Sequence, residues 1–409
     1  MTKKHLWLIG FLVTTLFLTD TAAAFNLDIE DQDYTDFNYR KVNQNSSDLD
    51  GHQEKLLFQW AINQNIINGY PDGNYMPDKP ISEGEFLKVF LRAFGYHVSN
   101  QGVFNESNHH WTDSSYRMAK VLNIPTLGST DFNSRLIPIT RRKAAEIITS
   151  SQGVNLEGDD AIKYVIVHGL TGVTARTIEE FEADQIITRS EAVKWVRQLM
   201  LKGMMEIKQR PVAITNLALP ELSKSSEWPE VIYEDFNAVK LTSEDFNLYD
   251  LTNNNVISLG TSRDQIEDMY GESNEMNIFN YNNYPYFSAE FDSKNSLMGW
   301  EINTIDNKHA NYKTYKGIVL NKSTLFEVLE LYGTAGYAAD GIANYYYEKA
   351  NETEYKPIFN TISRDSIKNP DNTYMLSFIF NKKTLIVEYI NVSTFQTVLN
   401  FNQELDQRN

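Results

Sequence analysis

The chain has 409 residues, 42% of them hydrophobic, enough for two or three domains with cores of their own. A formal net charge of −17 excludes nucleic acid and anionic membrane as general partners, because so acidic a chain repels polyanions except at a local basic island. The absence of cysteine excludes disulfides, thiolate nucleophiles and cysteine-based zinc sites.

Residues 1–24, "MTKKHLWLIGFLVTTLFLTDTAAA", have the form of a secretory signal: Lys3 and Lys4, an apolar run from Leu6 to Leu18, then Ala22 to Ala24 for cleavage. The run is short for a full bilayer span. The expected mature protein is exported and has no transmembrane segment. Residues 25–52 are acidic, rich in Asn and Asp and aperiodic, which predicts a flexible leader. Its "SDLDGHQE" has parts of a calcium loop in Asp48, Asp50 and Gly51. Leu57 stands where the closing glutamate belongs, so a solvated linker is the better reading.

From there to about Glu206 the sequence recurs at roughly 50 to 60 residues, a spacing typical of repeat architectures. The units cover 53–103, 104–156 and 157–206, and each has an apolar helix, an irregular connector, a hydroxyl-led helix start and a second apolar helix. The first opens with Leu57, Trp60 and Ala61; Ile81-Ser82 then leads into Phe86, Val89, Phe90, Ala93 and Phe94 on one helical face. The second has Tyr116, Ala119 and Leu122, then Ile139-Thr140 before Ala144, Ile147 and Ile148. The third has Ile162, Val165 and Ile166, then Ile187-Thr188 before Ala192, Trp195, Val196 and Leu199. Two short helices cannot bury such stripes alone, whereas three pairs can share one core.

Ser82 with Glu85 and Thr188 with Glu191 predict capping boxes, each cap contributing about 1 kcal/mol. At Thr140 the box is half built, because Lys143 replaces the carboxylate. "YPDG", Tyr70 to Gly73, fits a type I turn with Pro71 fixing φ.

Residues 207–250, with Pro211, Pro220 and Pro229 among acidic and polar residues, read as an interdomain linker. Beyond it, over 251–402, the period changes. "ISLGTSRDQIEDMYG" and "VLNKSTLFEVLELYG" align without a gap, each with a capping pair: Ser262 with Gln265, Thr324 with Glu327. Strand-like alternation follows both. Phe287, Ala289 and Phe291 precede "DSKN" and Met298, Trp300 and Ile302; Tyr374, Leu376, Phe378 and Phe380 precede "NKKT" and Leu385 to Ile390. This predicts an α+β domain of duplicated helix-plus-hairpin units.

The first unit, "AINQNIINGYPDGNYMPDKPISEGEFLKVFLRAFG", closely resembles the S-layer homology (SLH) repeat, with its "AI…GIINGYPDG" turn and "ITRAEF" helix start. "FEADQIITRSEAVKWVRQL" in the third unit resembles its second half, and "RLIPITRRKAAEII" in the second its helix start. The resemblance implies an all-α pseudo-threefold helical bundle. It also implies non-covalent attachment to an anionic, typically pyruvylated, secondary cell-wall polysaccharide. The family's "TRAE" arginine, which contributes to the ligand groove, falls on Arg141 and Arg189, but its place in the first unit holds Glu83.

A forked guanidinium at a helix start suits a carboxylate, and a glutamate repels one. The first turn is therefore expected to be scaffold. Anion capture would rest on Arg141, Arg142, Lys143 and Arg189, with a basic island at the first three. The C-terminal part resembles the CAP-associated module of secreted Bacillus-type proteins, on "ISLGTSRDQIEDMYGE", "VLNKSTLFEVLELYG" and "YMLSFIFNKKTLIVEYIN", although no CAP domain follows.

Motifs for catalysis are thin: there is no "HExxH" and no "GxSxG". "HHWTD", His109 to Asp113, offers metal ligands but equally suits the lead-in to a helix, and His168 reads as a packed or capping residue. Tyr284, Tyr286 and Tyr346 are candidates for stacking on sugars. The expectation is a secreted, non-catalytic protein of a Gram-positive wall or S-layer surface, without cofactor or metal, bound to wall polysaccharide and in contact with other envelope proteins. The alternatives are a wall-targeted hydrolase with its active site in the C-terminal module, or a soluble secreted factor whose units no longer bind.

Overall fold

The computed structural model describes residues 48–96, 110–224, 236–273, 281–304, 311–338, 341–358, 367 and 369–397. The signal segment, the leader before Asp48, His109 and residues 398–402 lie outside them. The described residues form two compact units, one within Asp20–Glu234 and one within Asp235–Asn409, and together they mix helices with antiparallel sheets. Among them no helix is long and apolar enough to cross a membrane.

The first unit is helical: α1 (Lys55–Asn63), α2 (Glu83–Ala93), α3 (Asp113–Val121), α4 (Arg141–Ser151), α5 (Gly158–His168), the short α6 (Ile178–Phe181) and α7 (Arg189–Leu201). The apolar stripes supply its core: Phe58, Phe86, Phe90, Ile147, Ile162, Val165 and Val196 are fully buried. The caps form as their residue types require. Glu85 N–H donates to Ser82 Oγ at 3.3 Å and Ser82 N–H to the Glu85 carboxylate at 2.9 Å; Thr188 and Glu191 exchange the same two bonds at 3.2 and 2.8 Å. Thr140 accepts from Lys143 N–H at 3.3 Å, with no carboxylate to return the bond.

Just before these caps the chain is extended, and three segments bind one another through their backbones. Ile81 N–H donates to Ile187 C=O (3.1 Å), Ile187 N–H to Ile139 C=O (3.1 Å) and Ile139 N–H to Ile81 C=O (2.9 Å), which closes a ring. The first helical residues add a second tier: Glu83 N–H to Ile137 C=O (3.0 Å), Arg141 N–H to Gln185 C=O (2.8 Å) and Arg189 N–H to Lys79 C=O (3.0 Å). All three isoleucines are buried.

Both ends of this unit differ from the reading of the sequence. Asp48 and Leu49, placed in the leader, are docked: the Asp48 carboxylate accepts from Tyr75 N–H at 2.8 Å and Met76 N–H at 2.7 Å, and Leu49 is buried. Residues 207–224, placed in the linker, are held along the helices. Asn155 Nδ2 donates to the carbonyls of Pro211 (3.1 Å) and Val212 (3.0 Å), and its backbone exchanges two bonds with Thr215. A polar, proline-rich stretch lacks a core signal, yet one buried side-chain amide can hold it.

In the second unit β1 (Leu248–Asp250) lies between β2 (Val256–Ile257) and β6 (Tyr312–Thr314). A seven-stranded antiparallel sheet has the order β3-β4-β5-β10-β9-β7-β8, from β3 (Asn282–Asn283), β4 (Ser288–Phe291), β5 (Leu297–Asn303), β7 (Ile342–Lys349), β8 (Tyr355–Pro357), β9 (Thr373–Phe380) and β10 (Val387–Thr394). The two expected hairpins are β4–β5 and β9–β10, which pair side by side through β5 and β10. One row of register partners, Ala289, Trp300, Val392, Leu376 and Tyr345, is buried throughout. Helices α8 (Arg263–Tyr270) and α9 (Leu325–Tyr332) each begin with a capping box and stop at a glycine of positive φ, Gly271 (82°) and Gly333 (87°).

Replacing Asn155 by Ala leaves the Pro211 and Val212 carbonyls to water. We expect a loss of about 1 kcal/mol and faster proteolytic cutting between Lys208 and Thr215; an unchanged digestion pattern would show that Asn155 does not hold this segment.

Candidate functional site

The second helix of each pair opens with a charged residue, Glu83, Arg141 or Arg189. Each sends its side chain into the connector of a neighbouring pair. Arg189, 3% exposed, donates from Nε to Tyr75 C=O and from Nη2 to Asn68 C=O, both at 2.8 Å. Its Nη1 lies 3.3 Å from Glu85, and the guanidinium sits 4.6 Å above the Tyr70 ring. Arg141, 9% exposed, reaches Phe181 C=O (3.2 Å), Glu182 (2.9 Å) and Glu191 (3.1 Å).

Glu83 is also buried, but its turn has the opposite polarity: the carboxylate accepts from Tyr116 Oη (2.8 Å), Leu127 N–H (3.0 Å) and Gly128 N–H (2.7 Å). A Cβ at Gly128 would collide with Arg135 and with the Tyr116 hydroxyl, so the close approach of backbone to carboxylate requires glycine. Connectors that receive an arginine offer carbonyls. The one that receives a glutamate offers N–H and O–H groups.

The first turn thus receives a charge from another helix pair. Sequence reasoning deprived it of charge because Glu83 stands at its own helix start, yet Arg189 arrives from the third pair. Gly73 N–H donates to Tyr70 C=O at 2.9 Å, which closes the expected turn, and Tyr70 Oη donates to Glu85 at 2.6 Å. Lys79 Nζ lies 4.0 Å from the centroid of the same ring, and this exposed lysine has no ion-pair partner among the described residues. Tyr70 is therefore a half-buried ring touched by two cations. Burial, then the bond to Glu85, pushes its pKa up to about 12, so the hydroxyl stays a donor. Burial alone would raise the Glu85 carboxyl. The Ser82 N–H, the Tyr70 hydroxyl and Arg189 outweigh it and hold Glu85 below the usual carboxylate range.

The expected basic island is not open. Arg142 lies 2.6 Å from Asp159 and 3.7 Å from Asp184, and the Asp159 bond raises its pKa further. Lys143 lies 2.8 Å from Glu146. The shallow cleft beside Arg142 is lined by Ile178, Glu179, Glu182, Ala183, Asp184 and Gln185, three carboxylates to one guanidinium. The acidic third connector folds onto Arg141 and Arg142 through Glu182 and Asp184, a pairing across about 40 residues that no local pattern announces. Lys79 and Tyr70 were missed, although both stand in the quoted first unit.

His110 is taken up locally, Nδ1 lying 2.7 Å from Thr112 Oγ1, and His168 Nδ1 lies 2.9 Å from the Tyr164 carbonyl, a capping arrangement. Of the three stacking candidates, Tyr284 is buried against Phe287 and Tyr346 packs on Phe395; Tyr286 stands exposed.

Residues 58–87 match the family model of the S-layer homology domain, and the match is confined to that stretch. A cellulosome-anchoring protein of Acetivibrio thermocellus is 41% identical over 49 residues, 11% of this chain and 11% of that relative.

Because the folded Glu85 carboxyl lies below its unfolded value, its contribution is complete above the ordinary glutamate range and is lost as pH falls through the folded pKa. Urea unfolding from neutral pH to about pH 3 should show a steeper loss in the wild type than in Glu85→Gln. Parallel curves would remove Glu85 from the turn's energetics.

Proposed function

We propose that the protein is held non-covalently at the cell envelope of a Gram-positive bacterium by its S-layer homology region, which grips an anionic, pyruvylated secondary cell-wall polysaccharide. The observation that carries this reading is Tyr70, inside the matched stretch, with Lys79 and Arg189 at 4.0 and 4.6 Å from its ring. A sugar ring packs on a tyrosine face, and a carboxylate on that sugar meets the unpaired ammonium of Lys79.

Arg189 and Arg141 serve as positioning residues that fix two turns from inside. Arg142, with a third of its side chain exposed, remains a reachable cation beside Lys143. The backbone ring of Ile81, Ile139 and Ile187 is the axis of a pseudo-threefold bundle, and its repeats are those at 53–103, 104–156 and 157–206. The relative's name, an anchoring protein, agrees with attachment. The second unit is a non-catalytic interaction module of duplicated helix-plus-hairpin design, related to the CAP-associated module. Its occupants are other envelope proteins.

Co-sedimentation with purified wall polysaccharide, native and after mild-acid removal of pyruvyl groups, tests this. Lys79→Ala should weaken binding roughly five- to tenfold, the loss of one charge-assisted contact, and depyruvylation should do the same to the wild type. Undiminished binding by Lys79→Ala/Arg142→Ala would sink the site, and clearing of wall glycan in zymography would sink the non-catalytic reading.

A further inference from the structure

In the second unit a short 3-10 turn, Ser243–Phe246, leads into β1 and buries the side chain of Asp245, 2% exposed. The two oxygens of that carboxylate have different surroundings. Oδ2 accepts from Thr242 N–H at 2.8 Å and from Thr242 Oγ1 at 3.1 Å. Oδ1 is buried, accepts no hydrogen bond among the described residues, and faces Lys316 Nζ at 4.0 Å.

Lys316, in the turn after β6, donates instead to Leu331 C=O at 2.9 Å, in the last turn of α9, and lies 5.0 Å from the centroid of Tyr332. Burial lowers its pKa, and Asp245 partly offsets this. Tyr332 and Tyr347, both fully buried, feel the Asp245 charge, so the pair sits in an aromatic setting that favours a neutral acid and amine over ions. A buried ion pair is best compensated at hydrogen-bond distance, as Lys143 and Glu146 are at 2.8 Å. Here the lysine bonds a carbonyl and the facing oxygen is left bare. That arrangement is a nucleophile beside an acyl group. The Thr242 N–H and hydroxyl polarise the carboxyl from the Oδ2 side, as an oxyanion hole does, and Oδ1 is free to leave.

We propose that Lys316 and Asp245 are a self-modification site, at which the two side chains condense into an intramolecular amide. The Nζ lone pair attacks Cγ of the protonated carboxyl, and the negative oxygen of the tetrahedral intermediate, Oδ2, rests on Thr242. The Nζ–Cγ bond forms and the Cγ–Oδ1 bond breaks. Two of the three ammonium protons depart with Oδ1 as one water. In a chain without cysteine, this bond serves as a disulfide would: it ties the entry of β1 to the exit of β6 and restricts the unfolded chain between them.

Mass spectrometry of the denatured full chain tests it. Most wild-type molecules should be lighter than their sequence by one water. Trypsin should release a branched peptide that joins residues 241–263 to 314–322, uncut after Lys316. Lys316→Arg, which keeps the positive charge, should have its full sequence mass, as should Asp245→Ala. The branched peptide is read from the wild type, so an unstable variant does not blur the result. A wild-type mass equal to the sequence, a water loss retained in Lys316→Arg, or separate linear peptides ending at Arg263 and Lys316 would each overturn the proposal.

Discussion

Six backbone hydrogen bonds, in two tiers among the segments before α2, α4 and α7, are the constraint on which the helical unit depends. Every peptide group in the inner ring has its donor and its acceptor satisfied by a different neighbour. Separating one segment leaves buried N–H and C=O groups unpaired on the other two, at about 1–3 kcal/mol for each. The three helix pairs are therefore obliged to fold together. The recurring Ile-Ser or Ile-Thr dipeptide serves this geometry at both positions. The isoleucine suits extended, buried backbone, and the hydroxyl residue, with ψ near 160° to 170°, turns that strand into a capped helix.

With the backbones locked in that order, the next residue has a fixed destination. Glu83, Arg141 and Arg189 enter a neighbouring connector regardless of sign, and the connector must present the complementary polarity. A buried guanidinium left without partners would cost several kcal/mol, which is why the Arg189 turn converges two carbonyls and a carboxylate on one side chain. Glu83 faces two N–H groups and a hydroxyl for the same reason. A reversed charge at a helix start, read in isolation, suggests a lost ligand contact. Set against its own receiving turn, it is a compatible plug.

Much of this was legible in the sequence, and what escaped follows a rule. Local signals held: the capping pairs at Ser82, Thr188, Ser262 and Thr324, the Tyr70–Gly73 turn, the helical stripes and both hairpins rest on residues within a few positions of one another. What failed depended on partners far along the chain. Arg141 and Arg142 read as part of a basic island because Glu182, Asp184 and Asp159 were invisible as their neighbours, whereas Lys143 pairs locally with Glu146. In the seven-stranded sheet, alternation correctly gave the buried row through Trp300. The next row is polar in sequence and made no core signal, yet Ser288, Glu301, Asn391 and Ser377 are 3–5% exposed. Ser288, Glu301 and Asn391 hydrogen-bond inside the protein, as Asn391 does with Tyr281 at 3.2 Å, so polarity did not report exposure.

The same distinction bears on how such a chain can hold an anion. Guanidinium groups at the helix starts are the obvious candidates by residue type, and they are the ones whose donors the fold has already used. Capture by Arg189 would require it to surrender the Asn68 or Tyr75 carbonyl, so any gain at the ligand is offset by an orphaned acceptor in the turn. Lysines at the rim carry no such obligation. Lys79 rests against an aromatic ring and has no ion-pair partner among the described residues, so an incoming anion adds a bond and breaks none. Position in the fold, more than charge count, decides where a polyanion can attach.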